Sequence, residues 1–320
     1  MATPRQELPA QETGLPTRAA APAQTESLYY DVAVQEIARL FQAAADGTAI
    51  RIGNLQRIMA ALVRDLTAAD DLLLKALEPR ETQLDRPRHM LNTAIFAVKI
   101  GQGLEAREEE LPWLALAGGL HDIGMVIVPP RILSKPSALT AEERDLVRMH
   151  PEKGYRLLQG LGPEYEWLAN VVIQHHERED GSGYPRRLKG EEIHDFSKII
   201  GVADTYEALT HPRPHRPQAR FPLEAVKEII NTERQRFPSH VLKGFIRGLS
   251  TFPVGSLVRL NTGEIAQIVA TNPAFPLRPV VEIVAATKKD GSVPARRVDL
   301  STNTLLYVMG TAPNTERPGS

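Results

Sequence analysis

The chain has 320 residues, which is long enough for a substantial core and indicates two or three structural units. Its 38 basic and 39 acidic residues leave a formal net charge of -1, so neither DNA nor an anionic membrane surface is favoured as the main partner. Because the chain contains no cysteine, disulfides, zinc–thiolate sites and cysteine nucleophiles are excluded, and a metal would be held by imidazole and carboxylate groups.

The N-terminal region changes from a Pro- and Ala-rich composition to a helical pattern. Residues 1–26 are predicted to be a disordered tail, because Pro and small polar residues bury too little area to offset the entropy of ordering. Residues 27–80 carry apolar side chains at helical steps and are predicted to be helical. We interpret them either as a small sensory or dimerising unit, compatible with a homodimer, or as a packing appendage. With neither a signal peptide nor a long apolar run, we expect a cytoplasmic protein without a membrane span.

The middle of the chain, residues 81–246, is predicted to be mainly helical. Thr140 and Glu143 form a capping-box pattern that opens a helix, and Pro151 marks the end of that helix and the start of the next one. The segment EDGSGYPRRLKGEEIHD is predicted to be a loop, because its glycines and proline disfavour regular structure.

The C-terminal region has a different pattern. Residues 251–310 contain short runs rich in Val, Ile and Leu, separated by turn sequences such as NTGE and KKDGS. This pattern predicts a small antiparallel β-barrel-like domain or sheet, which we interpret as a docking or structural module. Residues 311–320 are predicted to be a second disordered tail. The predicted fold class is therefore mainly α, with a small β domain at the end.

Histidine and aspartate residues of the middle region occur in arrangements that metal binding requires. His121 and Asp122 follow the apolar run WLALAGGL, and adjacent side chains leave a helix about 100° apart, so the pair could address two metals with the carboxylate between them. Alone, such a pair is more often a buried ion pair. It is the joint occurrence of further candidates that predicts a multi-metal centre; these are Asp85, His89, His150, His175, His176 and Asp204.

The order of the motifs HDIGM, MHPEKG, HHEREDGSGYP and GVADTYEALTHPRPHR resembles the HD-GYP domain of bacterial cyclic di-GMP phosphodiesterases, over about residues 81–246. The resemblance implies an HD-type helical bundle that holds two or three divalent metals, iron or manganese. Asp85 stands where members with a third metal have a glutamate, and Tyr184, Arg213 and Arg216 match substrate contacts. The other implied metal ligands are His89, His121, Asp122, His150, His175, His176 and Asp204.

The resemblance also implies a reaction. A hydroxide between two metals, with Asp122 as the bridging carboxylate, would hydrolyse cyclic di-GMP to linear pGpG and then to GMP in bacterial second-messenger signalling. Met125 stands where the family signature HDIGK has a lysine, and losing such a charge costs roughly 2.7–4 kcal/mol in the transition state. Two alternatives stay open: a weak or inactive protein that binds nucleotide or a partner such as a diguanylate cyclase, and a hydrolase of another cyclic dinucleotide.

Overall fold

The structure is a computed structural model that describes residues 24–68, 71–78, 85–249, 254–272, 275, 278–283 and 296–312. Most of the two predicted tails therefore lies outside the described residues. Among the helices that are described, none is both long and apolar enough to cross a membrane. The α-helices are α1 (Gln24–Ala45), α2 (Gly53–Ala68), α3 (Asp71–Leu77), α4 (Arg86–Gly103), α5 (Leu111–Leu120), α6 (Pro130–Leu133), α7 (Ala141–Arg148), α8 (His150–Gln159), α9 (Glu166–Gln174), α10 (Asp195–Thr210), α11 (Pro222–Thr232) and α12 (Ser239–Leu249).

Helices α1 to α3 pack into the same apolar core as the helices that follow them. α1 begins at Gln24, so its first turn lies inside the segment that the composition predicts to be a tail. The contact with α5 is close: a Cβ atom at Gly119 would lie 2.6 Å from Cε of Met59 and 3.8 Å from Cδ1 of Ile37. The N-terminal helices and the middle region therefore form one continuous core.

The helix boundaries of the middle region follow from local sequence. The Thr140–Glu143 capping box is present, with the Thr140 hydroxyl accepting from the Glu143 backbone N–H at 3.2 Å. α7 then ends at Arg148, and His150 is the first residue of α8, whereas the sequence pattern predicts it as the last residue of the preceding helix. Pro151 fits the first turn of α8, where its missing N–H is not needed. α5 ends at Leu120, which leaves the next two residues outside regular helix.

The C-terminal region forms one antiparallel sheet in the order β4-β3-β2-β1-β5. Among the described residues this sheet is open, with β4 and β5 at its edges, and it is not closed into a barrel. Leu223 of α11 packs into its apolar core, which joins the sheet to the helices. β5 extends one residue past the predicted end of the domain. The strands are β1 (Leu257–Leu260), β2 (Ile265–Ala270), β3 (Val280–Ile283), β4 (Arg296–Asp299) and β5 (Val308–Thr311).

Candidate metal centre

The structure brings seven of the eight predicted metal ligands together in two groups. Within each group, one ligand atom from every residue lies within 4.8 Å of the others. We call the first the His150 group; it contains Asp122, His150, His175 and His176. We call the second the His89 group; it contains His89, His121 and Asp204. Most of these side chains are buried, so the two groups form an enclosed cluster of imidazoles and carboxylates.

The candidate ligands come from several helices and from the turns that follow them rather than from one motif. His121 and Asp122 follow α5, and His175 and His176 follow α9. The turn after α5 lies directly against α8, since a Cβ atom at Gly124 would collide with the carbonyl oxygen of His150. The glycine of the HDIG motif is therefore required for the close approach that places His150 beside Asp122.

Asp122 belongs to the His150 group and also approaches the His89 group. Its Oδ1 is 3.1 Å from His150 Nε2, whereas its Oδ2 is 3.5 Å from His89 Nε2 and 2.7 Å from Arg86 Nη1. Burial opposes the ionised form of this carboxyl, but the histidines around it, His121 and His150 first, hold the pKa of Asp122 well below its usual range. An ionised carboxylate with one oxygen toward each group has the geometry of a bridging ligand.

Three of the histidines are oriented by helix carbonyls. Because a carbonyl oxygen can only accept, each Nδ1 must carry the proton, which leaves Nε2 free to bind a metal. Burial lowers the pKa of His121 and, with the neighbouring imidazoles, holds the pKa of His175 well below its usual range. The bonds run from Nδ1 of His121 to Gly118 at 2.7 Å, from His150 to Val147 at 2.7 Å and from His175 to Val172 at 2.6 Å.

One buried nitrogen of the centre is placed to bind an ion. Nε2 of His121 is buried and has no hydrogen-bond partner. An unpaired buried polar atom is unfavourable by about 1–3 kcal/mol, so its position is explained if it binds an ion. The His175 imidazole beside it, whose lowered pKa keeps it neutral, and the ionised Asp122 carboxylate are in the form in which these side chains bind divalent metals. The residues present therefore fit divalent metal ions.

His89 is oriented in a different way, by a residue that the sequence motifs did not indicate. Its Nδ1 lies 2.7 Å from Oε2 of Glu207, a buried carboxylate that also accepts from Arg213 at 2.7 Å. Burial opposes the charged form of the imidazole, but the Glu207 carboxylate outweighs it and the pKa of His89 rises to about 9 in the metal-free protein. A charged carboxylate behind a ligating histidine fixes its orientation and raises its basicity.

A series of polar contacts connects this carboxylate to α1. Glu207 lies 3.4 Å from Nδ1 of His211, whose Nε2 is 3.4 Å from the Asn92 side chain. The Asn92 carbonyl in turn accepts from the Tyr30 hydroxyl at 2.7 Å. A buried polar chain therefore runs from α1 to His89, and nothing in the local sequence pattern revealed it.

The predicted substrate contacts occupy the rim of the centre and its interior. The Tyr184 ring stacks on His176, with centroids 4.7 Å apart and an interplanar angle of 22°, and the Arg148 guanidinium lies 5.3 Å from the centroid of the Tyr184 ring. Arg213 is paired with Glu207, as described above. The Arg216 guanidinium donates to the carbonyl oxygen of Ala208. Of the three, only Tyr184 lies directly against a ligand of the His150 group.

The loop that carries Tyr184 is fixed by the glutamate of the HHE motif, another residue that our site prediction did not include. Glu177 is buried and accepts from the backbone N–H groups of Arg186 at 2.6 Å and Leu188 at 3.1 Å. Gly183 packs so closely that a Cβ atom there would lie 2.5 Å from the carbonyl oxygen of His176. The glutamate of the HHE sequence therefore holds the backbone of the loop that contains the GYP sequence.

Asp85 is not brought into either group. It precedes α4 as its N-cap, with an extended backbone (φ -93°, ψ 97°), and its side chain binds the backbone N–H of Arg88 at 3.2 Å and that residue's guanidinium at 2.9 Å. The side chain is 41% exposed. Its role in the structure is therefore to cap the helix that carries His89.

Met125 is buried in a small apolar cluster beside the centre. It is 3% exposed and packs with Val128 and Ile132. The position at which the resemblance implies a lysine is therefore part of a hydrophobic environment, which would disfavour an ammonium group.

Comparisons with known proteins agree with this geometry. The model of the HD domain family matches residues 51–241, and that of the KOW domain associated with HD domains matches residues 257–317. A cyclic di-GMP phosphodiesterase of Pseudomonas aeruginosa is 30% identical over 82% of this chain, and the match spans 63% of that relative. A 3'3'-cGAMP-specific phosphodiesterase of Vibrio cholerae is 35% identical over 44% of this chain and 30% of its own length.

A solved structure shares the fold. It is an HDG"Y"P protein of Bdellovibrio bacteriovorus, with a TM-score of 0.57 and 15% identity, and the match covers 69% of this chain and 70% of that one. The predicted mainly helical fold with a small antiparallel C-terminal sheet is confirmed. The family match covers more than half of the chain and includes every ligand of both groups. The chain therefore belongs to the HD domain family.

Proposed function

We propose that the chain is a metal-dependent phosphodiesterase that hydrolyses cyclic di-GMP to linear pGpG, and then to GMP, in bacterial second-messenger signalling. The observation that carries the proposal is the position of Asp122, whose two oxygens face two separate groups of potential ligands. The P. aeruginosa relative, which bears the same activity in its name, supports the choice of substrate.

The proposed cofactors are two divalent ions, iron or manganese, one for each group. Imidazole and carboxylate donors without thiolates suit these metals. Asp122 would be shared by the two ions. The exposed position of Asp85 supports two ions rather than three.

The reaction needs a nucleophile, a bound phosphodiester and exclusion of bulk water. Divalent ions at such a site lower the pKa of bound water toward about 7 and so supply a nucleophile at neutral pH. The buried imidazoles hold their Nε2 atoms toward the centre because the helix carbonyls hold the Nδ1 protons. Tyr184, at the rim, is placed to contact the nucleotide, and burial raises the pKa of its hydroxyl, which stays a neutral donor.

A second function is favoured by one observation. Met125 brings no charge to the centre and lies in an apolar cluster, which is what a slow enzyme or a nucleotide-binding regulator would tolerate. The V. cholerae relative, named for a different cyclic dinucleotide, supports a third function in which the substrate is not cyclic di-GMP.

One experiment separates these functions. The protein is loaded with iron or manganese under anaerobic conditions and incubated with cyclic di-GMP or 3'3'-cGAMP, and the products are resolved by chromatography. We expect linear pGpG from cyclic di-GMP, and no product from the double variant His121→Ala/Asp122→Ala. Nucleotide binding without any product would support the regulator, and faster cleavage of 3'3'-cGAMP would change the substrate assignment.

Substitution at Met125 tests the missing charge. Met125→Lys should raise the rate if an ammonium group at this position can reach the phosphodiester. Because the residue is buried among apolar side chains, the variant should also unfold at lower urea concentration. An unchanged or lower rate in a folded, metal-loaded variant would show that charge at this position does not limit the reaction.

A further inference from the structure

Arg86 is the first residue of α4, and its side chain reaches into the metal centre. Nη1 lies 2.7 Å from Oδ2 of Asp122, and only 16% of the side chain is exposed. Its Nε is buried and has no hydrogen-bond partner. The ion pair with Asp122 is the one hydrogen bond of this guanidinium within the part of the chain that the structure describes. The buried guanidinium has five N–H donors, and only one of them donates a hydrogen bond to the described residues.

The charge around Arg86 indicates what the other donors would bind. Asp122 is the carboxylate that approaches both ligand groups. Divalent ions bound there would neutralise part of its negative charge and so weaken its attraction to the Arg86 guanidinium. Glu207, the next carboxylate in the network, is already paired with Arg213. Buried cations are normally balanced by an anion, and none other than Asp122 contacts Arg86 among the described side chains. The loaded centre would therefore attract an anion to this guanidinium.

The side chains at three positions where the resemblance implies a substrate contact or a charge are engaged elsewhere or uncharged. Arg213 donates to Glu207, and Arg216 donates to backbone carbonyls of Ala208 and His211. Met125 is apolar and packed away from charge. Arg86 differs from these three because its single hydrogen-bond partner is Asp122, the carboxylate that approaches both ligand groups.

We propose that Arg86 is a phosphate-binding residue of this centre. One nitrogen of its guanidinium retains the hydrogen bond to Asp122, and the other nitrogens donate to a nonbridging phosphodiester oxygen. Guanidinium suits this role because its forked donors match the oxygens of a phosphate group. The proposal depends on the proposed function only for the identity of the nucleotide, since any phosphate monoester or diester offers the same oxygens.

The test uses the full chain loaded with manganese and measures the binding of inorganic phosphate by titration calorimetry, with metal content determined in parallel. Arg86→Met should keep its metals and bind phosphate at least about tenfold more weakly, because a charge-assisted hydrogen bond is lost. Arg86→Lys should retain part of the affinity. The matched control is Arg88→Met, two residues along the same helix, where the guanidinium pairs with the exposed Asp85; its affinity should equal that of the unmodified protein.

Three results would overturn the proposal. The first is equal phosphate affinity in Arg86→Met and the unmodified protein, and the second is the absence of phosphate binding by the unmodified protein. The third is loss of metal from Arg86→Met, which would make Arg86 a support for Asp122 only. If Arg86→Met does not fold, equal affinity of Arg86→Lys and the unmodified protein overturns the proposal in the same way. Cleavage of cyclic di-GMP is scored separately, so failure of the substrate assignment leaves the phosphate-binding result interpretable.

Discussion

The two ligand groups lie side by side but are held in place differently. In the His150 group, His150 and His175 are oriented by carbonyls three residues earlier in the chain, so the preceding helix turn sets their direction. In the His89 group, His89 is oriented by the carboxylate of Glu207, 118 residues away in sequence. Two histidines of the His150 group are thus fixed by local backbone geometry. The His89 group contains one histidine of that kind, His121, but its other histidine, His89, depends on a buried side-chain network.

This difference predicts unequal sensitivity to substitution. Backbone carbonyls cannot be removed by a side-chain substitution, so the orientation of His150 and His175 should tolerate changes that preserve the packing around α8 and α9. The His89 group should lose affinity when any member of its network changes, including residues that touch no metal. The following predictions test this contrast, from the largest expected effect to the smallest.

Asp122→Asn should affect both groups, because Asp122 contacts both His150 and His89. We expect loss of both metals and a decrease in turnover of roughly a thousandfold or more, since ions supply several kcal/mol of transition-state stabilisation. Metal analysis and chromatography of products measure the two effects. Retention of one full metal equivalent would show that Asp122 belongs to one group alone.

Glu207→Gln should affect the His89 group selectively. Removing the charge behind a ligating histidine weakens metal binding about 10- to 100-fold, so one metal should be lost and one retained. Stepwise removal by a chelator, followed by metal analysis, would detect this. Equal weakening of both sites would contradict the distinction between the groups.

Tyr30→Phe tests the far end of the network. The change removes the hydroxyl that binds Asn92 and leaves a buried carbonyl without that donor, which should lower the free energy of unfolding by roughly 1–3 kcal/mol. Urea unfolding gives this value. Metal affinity at the His89 group should fall less in Tyr30→Phe than in Glu207→Gln. An equal or larger loss of affinity would contradict the position of Tyr30 at the far end of the network.

Asp85→Asn should change neither the stability nor the metal content of the protein appreciably. Asparagine caps a helix about as well as aspartate, and the ion pair with Arg88 is exposed, so the free energy of unfolding should change by less than about 1 kcal/mol. Metal content should stay at two ions. If the unmodified protein binds a third metal equivalent and this variant loses it, Asp85 is a metal ligand after all.

Much of the fold could be predicted from local patterns. The Thr140–Glu143 capping box, the loop around Tyr184 and the antiparallel C-terminal strands each have a signature within a few residues. His121 and Asp122 were identified from the same kind of signal. These features were readable because their physical causes are local.

The missed features are those that depend on contacts distant in sequence. Glu207 and Arg86 meet the site across 118 and 36 residues, and no periodicity connects either one to its partner. Asp85 lies outside both groups for a different reason. The four-residue spacing from His89 implies one helix face only if both residues are helical, and α4 begins after Asp85. A boundary shift of one residue was enough to turn the carboxylate outward.

The close packing at Gly119 has a consequence for N-terminal truncation of the protein. Met59 and Ile37 fill the space over this residue, which lies two positions before His121. A truncated chain starting at residue 81 would lose that cover and expose an apolar face of α5 to solvent, and such a face promotes aggregation. The first three helices therefore belong to the same packed core as the helices of the candidate metal centre, and we expect that displacing them would disturb the position of His121.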